Sequence, residues 1–309
     1  MAALSLIFII IDIPAVSIAR VDSEVLEDGV GSSILTCNSH ANPPATVSWH
    51  KVGDKESMQD TAIIKMNPIK REQAGVYICQ AENSVGISEP EETEVEVLYG
   101  PVSVTTEPED SIEVMVGNKT ILRCAGDSNP PAKYQWVQVI GGAESVRSYT
   151  SDLVVDNVVY GDQGEYQCMA INKVGGERRE MRSKRVRVEV TGAPQVVKQV
   201  GEVVGIHGAD VRIEAEFCSD PAPVQSTWAW GDIVLHTGSQ EEGRYEAEMV
   251  PHPHMEDCYI SRLTLRRVGM EDTKEYILSV ENKHGKDMVP VVLNIKGEND
   301  VFVCCLMES

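Results

Sequence analysis

Asp162-Gln163-Gly164-Glu165-Tyr166-Gln167-Cys168 is the stretch on which the reading of this chain turns. Cys124 and Trp136 lie upstream of it, and Asn172 and Gly175 follow Cys168. The same set recurs nearer the N-terminus as Cys37, Trp49, Tyr77, Cys79, Asn83 and Gly86, with first-to-second Cys separations of 42 and 44. Asn42-Pro43-Pro44 and Asn129-Pro130-Pro131 hold corresponding places after the first Cys, where a tight turn needs restricted φ. The Asn and Gly beyond the second Cys fit a hairpin whose tip requires positive φ. Leu153, Val155 and Val158, repeated as Ile64, Met66 and Ile69, carry the alternation of a half-buried strand. A third copy follows, with Leu263, Leu265, Val268, Asp272, Tyr276, Asn282 and Gly285 in an ungapped register on Leu153, Val155, Val158, Asp162, Tyr166, Asn172 and Gly175. Self-similarity of this kind fixes the number of units before any single motif is interpreted.

Cys-x11-Trp, Asp-x-Gly-x-Tyr-x-Cys and Ala-x-Asn-x-x-Gly, repeated, resemble the I-set and C2-set immunoglobulin domains of cell-adhesion receptors, over residues 24–297. The resemblance implies an all-β chain of three tandem immunoglobulin-like antiparallel β-sandwich domains, at 20–98, 100–191 and 193–297. It further implies bridges Cys37–Cys79 and Cys124–Cys168 between the two sheets, a core Trp on strand C (Trp49, Trp136, Trp230), and a Tyr whose hydroxyl ties down the E to F corner (Tyr77, Tyr166, Tyr276). The third unit, through Trp228-Ala-Trp230-Gly231, Gly243-Arg-Tyr245 and Asp257-Cys258-Tyr259, looks more particularly like a domain of Echinoid-type or nephrin-type receptors.

That third unit departs from the pattern at one bond. Leu278 takes the place of the second Cys, while Cys218 still precedes Trp230 by the usual interval. Cys258 lies just ahead of strand E, which neighbours strand B in one sheet, so a displaced Cys218–Cys258 bridge is expected. Two free thiols, or pairing with the tail, are the alternatives. In the first unit Gln73 stands where the others have Asp162 and Asp272, which puts a local ion pair there in doubt. Each of the first two bridges closes a loop for which chain entropy gives roughly 4 kcal/mol, a large share of a small domain's stability. The chain therefore suits an oxidising, extracellular compartment.

With 27 basic against 48 acidic side chains the net charge is −21, which repels phosphate backbones and anionic membranes. Nucleic acid is not an expected partner. Residues 1–19 have the shape of a secretory signal cleaved after Ala19, although Asp12 interrupts the apolar run and no basic residue precedes it. A mis-set start or a buried strand is the competing reading. No later stretch is long and apolar enough for a membrane helix. The linkers around Tyr99-Gly100-Pro101 and Thr191-Gly192-Ala193-Pro194 are too short to be flexible tethers, which predicts a stiff array. Residues 298–309 form an irregular tail with Cys304 and Cys305, read as a truncated or alternative end, or as a site of cross-linking or lipid.

No phosphate loop, nucleophile elbow or His-Glu-x-x-His motif occurs, so neither catalysis nor a cofactor is expected. His252 and His254 could share a metal, but a solvated loop accounts for them, and no metal is assigned. Asn118-Lys-Thr120 is the sole N-glycosylation sequon. Candidate partner-binding residues are His50, Ile78, Gln80 and Asn83 on the C, F and G strands of the first unit, together with Arg185 and Arg187 on the second. For the arginines, a solvated face balancing an acidic molecule competes with an anionic glycan or an acidic partner. The resemblance implies protein-protein adhesion at the plasma membrane, with a second copy or another immunoglobulin-superfamily receptor. A freely secreted binding protein is the alternative.

Overall fold

Strand-forming alternation dominates the chain, and the computed structural model describes it over residues 11–54, 59–199, 201–241 and 243–297. The leader expected at 1–19 falls partly outside these residues, and the tail with Cys304 and Cys305 lies outside them but for its neighbour Gly297.

In domain 1, β1 (Ala15–Asp22), β2 (Ser33–His40) and β4 (Ile63–Met66) form one sheet, and β3 (Thr46–Lys51), β5 (Gly75–Glu82) and β6 (Glu91–Val95) the other. β1 pairs with β2 from Ala15↔His40 to Asp22↔Ser33, so this sandwich includes residues 15–19, which the leader reading placed outside it. Domain 2 contains β7 (Tyr99–Glu107), β8 (Ser111–Met115), β9 (Thr120–Asn129), β10 (Lys133–Ile140), β11 (Ala143–Ser148), β12 (Asp152–Val155), β13 (Gly164–Val174) and β14 (Glu177–Thr191). Its sheets run β12-β9-β7 and β11-β10-β13-β14-β8.

Domain 3 contains β15 (Gln195–Gln199), β16 (Glu202–Ile206), β17 (Val211–Cys218), β18 (Gln225–Trp230), β19 (Ile233–His236), β20 (Gln240–Glu241), β21 (Tyr245–Pro251), β22 (Cys258–Leu265), β23 (Lys274–Asn282) and β24 (Gly285–Lys296). Its sheets run β15-β17-β22-β21-β20 and β16-β24-β23-β18-β19. The last strand of domains 2 and 3 also carries a parallel partner, with Ser111–Met115 along Arg187–Thr191 and Glu202–Ile206 along Val292–Lys296. Among the described residues domain 1 has only the bridge Glu27↔Leu98 at that place.

Inward residues of the facing sheets fill each core: Leu35, Trp49, Met66 and Ile69 in the first domain, Leu122, Trp136, Leu153 and Val186 in the second. Cys37 bonds Cys79 and Cys124 bonds Cys168, each crossing between sheets with Cα atoms 6.1 and 6.4 Å apart. Cys218 bonds Cys258 within one sheet, where the two residues lie opposite each other on β17 and β22.

The register corrects the expected strand-C tryptophan of domain 3. Trp49 lies opposite Cys79 and Trp136 opposite Cys168, whereas Leu278 lies opposite Trp228, not Trp230. Matching Ile213↔Leu263 to Leu122↔Leu153 likewise puts Ala215 at the Cys124 position, so Cys218 sits three residues beyond it. Ala215, Leu278 and Trp228 thus fill the space that a bridge and its tryptophan fill elsewhere, and the Trp228 indole donates to Ser261 Oγ at 3.0 Å. Trp230 is buried too, packed on Tyr245 and Tyr276 with ring centroids 4.9 and 5.3 Å away.

The three corner tyrosines donate to the carbonyls of Gln73, Asp162 and Asp272 at 2.9, 2.7 and 3.2 Å. Burial pushes the Tyr166 hydroxyl up to about 12 and that of Tyr276 higher still, since charging them would strand an anion among apolar groups. Beneath the corner Asp162 pairs with Arg147 at 2.5 Å and Asp272 with Arg244 at 2.6 Å. Gln73 instead accepts from the Lys70 N–H at 2.8 Å, capping the turn without a charge.

Candidate functional site

β3, β5 and β6 turn their alternate residues to solvent in two cross-strand rows, His50-Ile78-Glu92 and Ser48-Gln80. Pairing of this kind brings side chains from neighbouring strands within reach of one another. His50 and Glu92 are exposed and Ile78 half-buried, and among the described residues the side chains of Ser48, His50 and Ile78 make no hydrogen bond or ion pair. Gln80 makes one long contact, to the Ser88 carbonyl at 3.5 Å.

The corresponding face of domain 2 is closed over by ion pairs. Arg182 meets Glu144 and Arg185 meets Glu165 across strands, each at 2.5 Å, and Val137 beneath them is 2% exposed. Arg187 bonds Glu189 within its own strand and reaches Glu256 of domain 3. Arg178 and Arg179 are paired as well, the latter with Glu27 of domain 1 at 3.0 Å. The arginines of the basic run are therefore paired with neighbouring carboxylates, Arg179 and Arg187 across domain boundaries.

Asn83 belongs to the scaffold rather than to the free surface. Its amide donates to the carbonyls of Asp12 and Pro43, and its oxygen accepts from the N–H groups of Val85 and Gly86. Asn172 does the same to Tyr99 and Pro130, and Asn282 to Gly192 and Pro221. In domains 2 and 3 the first of these carbonyls belongs to the linker, so one side chain clasps the incoming chain to the turn between the second and third strands of the domain core. These asparagines lack the positive φ read for the hairpin, and of the glycines following them Gly175 has it at 57° while Gly86 does not. The repeating Asn was visible in the sequence; its partners, lying up to 90 residues away, were not.

His252 and His254 come together at a ring separation of 6.1 Å, but the His252 Nδ1 accepts the N–H groups of His254 and Met255 and so is occupied. Asn118 is exposed in the turn ahead of β9. Among the described residues no helix is long and apolar enough to cross a membrane.

The fold and the repeated bridges define a tandem immunoglobulin-domain protein. Two immunoglobulin-domain family models match, one at residues 14–83 and one at 102–190. Human Kin of IRRE-like protein 3 is 28% identical over 287 residues, covering 92% of this chain and 35% of that protein. Mouse IgLON family member 5 is 30% identical over 199 residues, covering 61% of this chain and 58% of that protein. The chain thus spans about a third of the length of the first of these relatives. Among solved structures, a chain in the complex of Dpr2 Ig1-Ig2 with DIP-Theta Ig1-Ig3 superposes with a TM-score of 0.56 at 19% identity, covering 92% of this chain and all of that one.

Proposed function

We propose that this chain is a cell-recognition protein whose immunoglobulin domains bind a protein partner at the cell surface, through the β3-β5-β6 face of domain 1. The observation that carries this reading is the contrast between sheet faces. That of domain 2 is sealed by interlocking charges, while that of domain 1 offers His50, Ile78 and Ser48 without internal partners. Half-buried Ile78, bordered by His50, Gln80 and Glu92, offers an apolar centre with a polar rim. The partner is an immunoglobulin-domain protein, either a second copy or another receptor, in keeping with the pairing of such chains in the Dpr2 and DIP-Theta complex. The exposed Asn118, in domain 2, carries an N-linked glycan.

Ile78→Asp is expected to abolish aggregation of beads or cells displaying the chain, or to weaken partner binding at least about tenfold. The domain should stay folded at a cost of about 1–2 kcal/mol, because the side chain lies on the outer face but is half-buried and faces Glu92 across the strand. Undiminished adhesion by a folded Ile78→Asp protein overturns the assignment of this face.

A further inference from the structure

We propose that the Cys218–Cys258 bridge serves the joint between domains 2 and 3 rather than the interior of domain 3. Domain 3 is already filled where a bridge would sit, since Ala215 and Leu278 occupy those positions at 1% and 0% exposure beneath Trp228. Its buried cluster runs from Val211 to Ile295 and contains neither cysteine. Cys218 and Cys258, 2% and 5% exposed, belong instead to the cluster that fills domain 2, together with Tyr160, Cys124 and Trp136.

The residues beside the two cysteines are the ones that hold domain 2. After Cys218, the Asp220 carbonyl accepts from Gly192 N–H at 2.8 Å and Thr191 Oγ1 at 3.1 Å, while its own N–H donates to the Tyr160 hydroxyl at 2.8 Å. That hydroxyl in turn donates to the Gly192 carbonyl at 3.1 Å. Before Cys258, Asp257 accepts from Gln163 Nε2 at 2.9 Å, and Glu256 pairs with Arg187. The bridge therefore fastens two separate turns of domain 3 into one platform against which domain 2 rests.

At the other joint the corresponding position lies against the linker. By the strand register, Asp127 of domain 2 corresponds to Cys218, and its carboxylate accepts the hydroxyl of Tyr99 in the linker at 2.9 Å. The first joint meets the linker with a polar contact at this point. The second joint instead packs the buried Cys218–Cys258 disulfide of domain 3 against domain 2.

The test is the full chain carrying Cys218→Ala and Cys258→Ala together. The near-ultraviolet signal of the domain 3 tryptophans and its cooperative melting should survive. Proteolysis in the linker at residues 191–194 should rise at least about tenfold, because local opening governs cleavage there, and small-angle scattering should report a broader spread of molecular lengths. Tyr160→Phe, which leaves the bridge and both cores in place, should raise the same cleavage to a smaller extent. Loss of the domain 3 fold in the double variant, or unchanged linker cleavage and scattering in both variants, overturns the proposal.

Discussion

Trp228→Ala is expected to destabilise domain 3 by about 3–5 kcal/mol, the usual cost of deleting a large buried aromatic. The indole is fully buried and reaches across to the opposite sheet, where it donates to the Ser261 hydroxyl, itself completely buried. Truncation empties the centre of a layer in which Ala215 is already small, and it leaves the serine oxygen without its donor. No inter-sheet bridge spans this layer to limit the damage, as the cystine beside Trp136 does in domain 2. Denaturant unfolding followed by tryptophan fluorescence measures the loss, with Trp136→Ala for comparison. A cost below about 1 kcal/mol, typical of surface positions, contradicts the placement of Trp228 at the centre of the core.

Asp272→Ala is the second large effect, at about 3–5 kcal/mol. Its carboxylate, with 1% of the side chain exposed, takes the Arg244 guanidinium at 2.6 Å, the Gly269 N–H at 2.8 Å and the Tyr245 hydroxyl at 3.3 Å. Removing it leaves the Gly269 N–H and the Tyr245 hydroxyl without this acceptor and leaves Arg244 with Glu271 alone, at 3.1 Å. In domain 1 the analogous Gln73→Ala forfeits only a turn cap and should cost about 1 kcal/mol. Thermal or chemical unfolding of the two variants decides the matter, and equal losses at the two sites contradict the role given to the buried carboxylate.

The number of units and the strand order of each were legible because the repeated Cys, Trp, Tyr and Gly have local physical causes. Domain 3 shows where that legibility fails. The interval from the Cys37 or Cys124 position to the strand-C tryptophan is one residue longer there, running from Ala215 to Trp228, and the cysteine has moved three residues along the strand. From its displaced place Cys218 stands the familiar interval before a second tryptophan, Trp230, so a correct motif pointed to the wrong residue. The face of domain 1 could be read from alternation alone. The fate of the arginines could not, since Arg187 meets Glu256 from 69 residues away, and nothing local to β14 encodes that meeting. Likewise Asn83 looked like a surface residue because its obligations, to Asp12 and Pro43, are set by how chain segments converge.

The uneven pairing of the last strand in each domain bears on mechanics. A pull on the two ends of a domain whose last strand runs parallel to one near its start loads that pair in shear, so all its hydrogen bonds must yield together. Ser111–Met115 on β14 and Glu202–Ile206 on β24 give domains 2 and 3 such a clamp. Among the described residues domain 1 has at that place the bridge Glu27↔Leu98, a much shorter pairing. Under tension along the array every domain carries the same force, and domain 1, with the shortest such pairing, is expected to lengthen first, so the domain carrying the proposed contact face is also the compliant one.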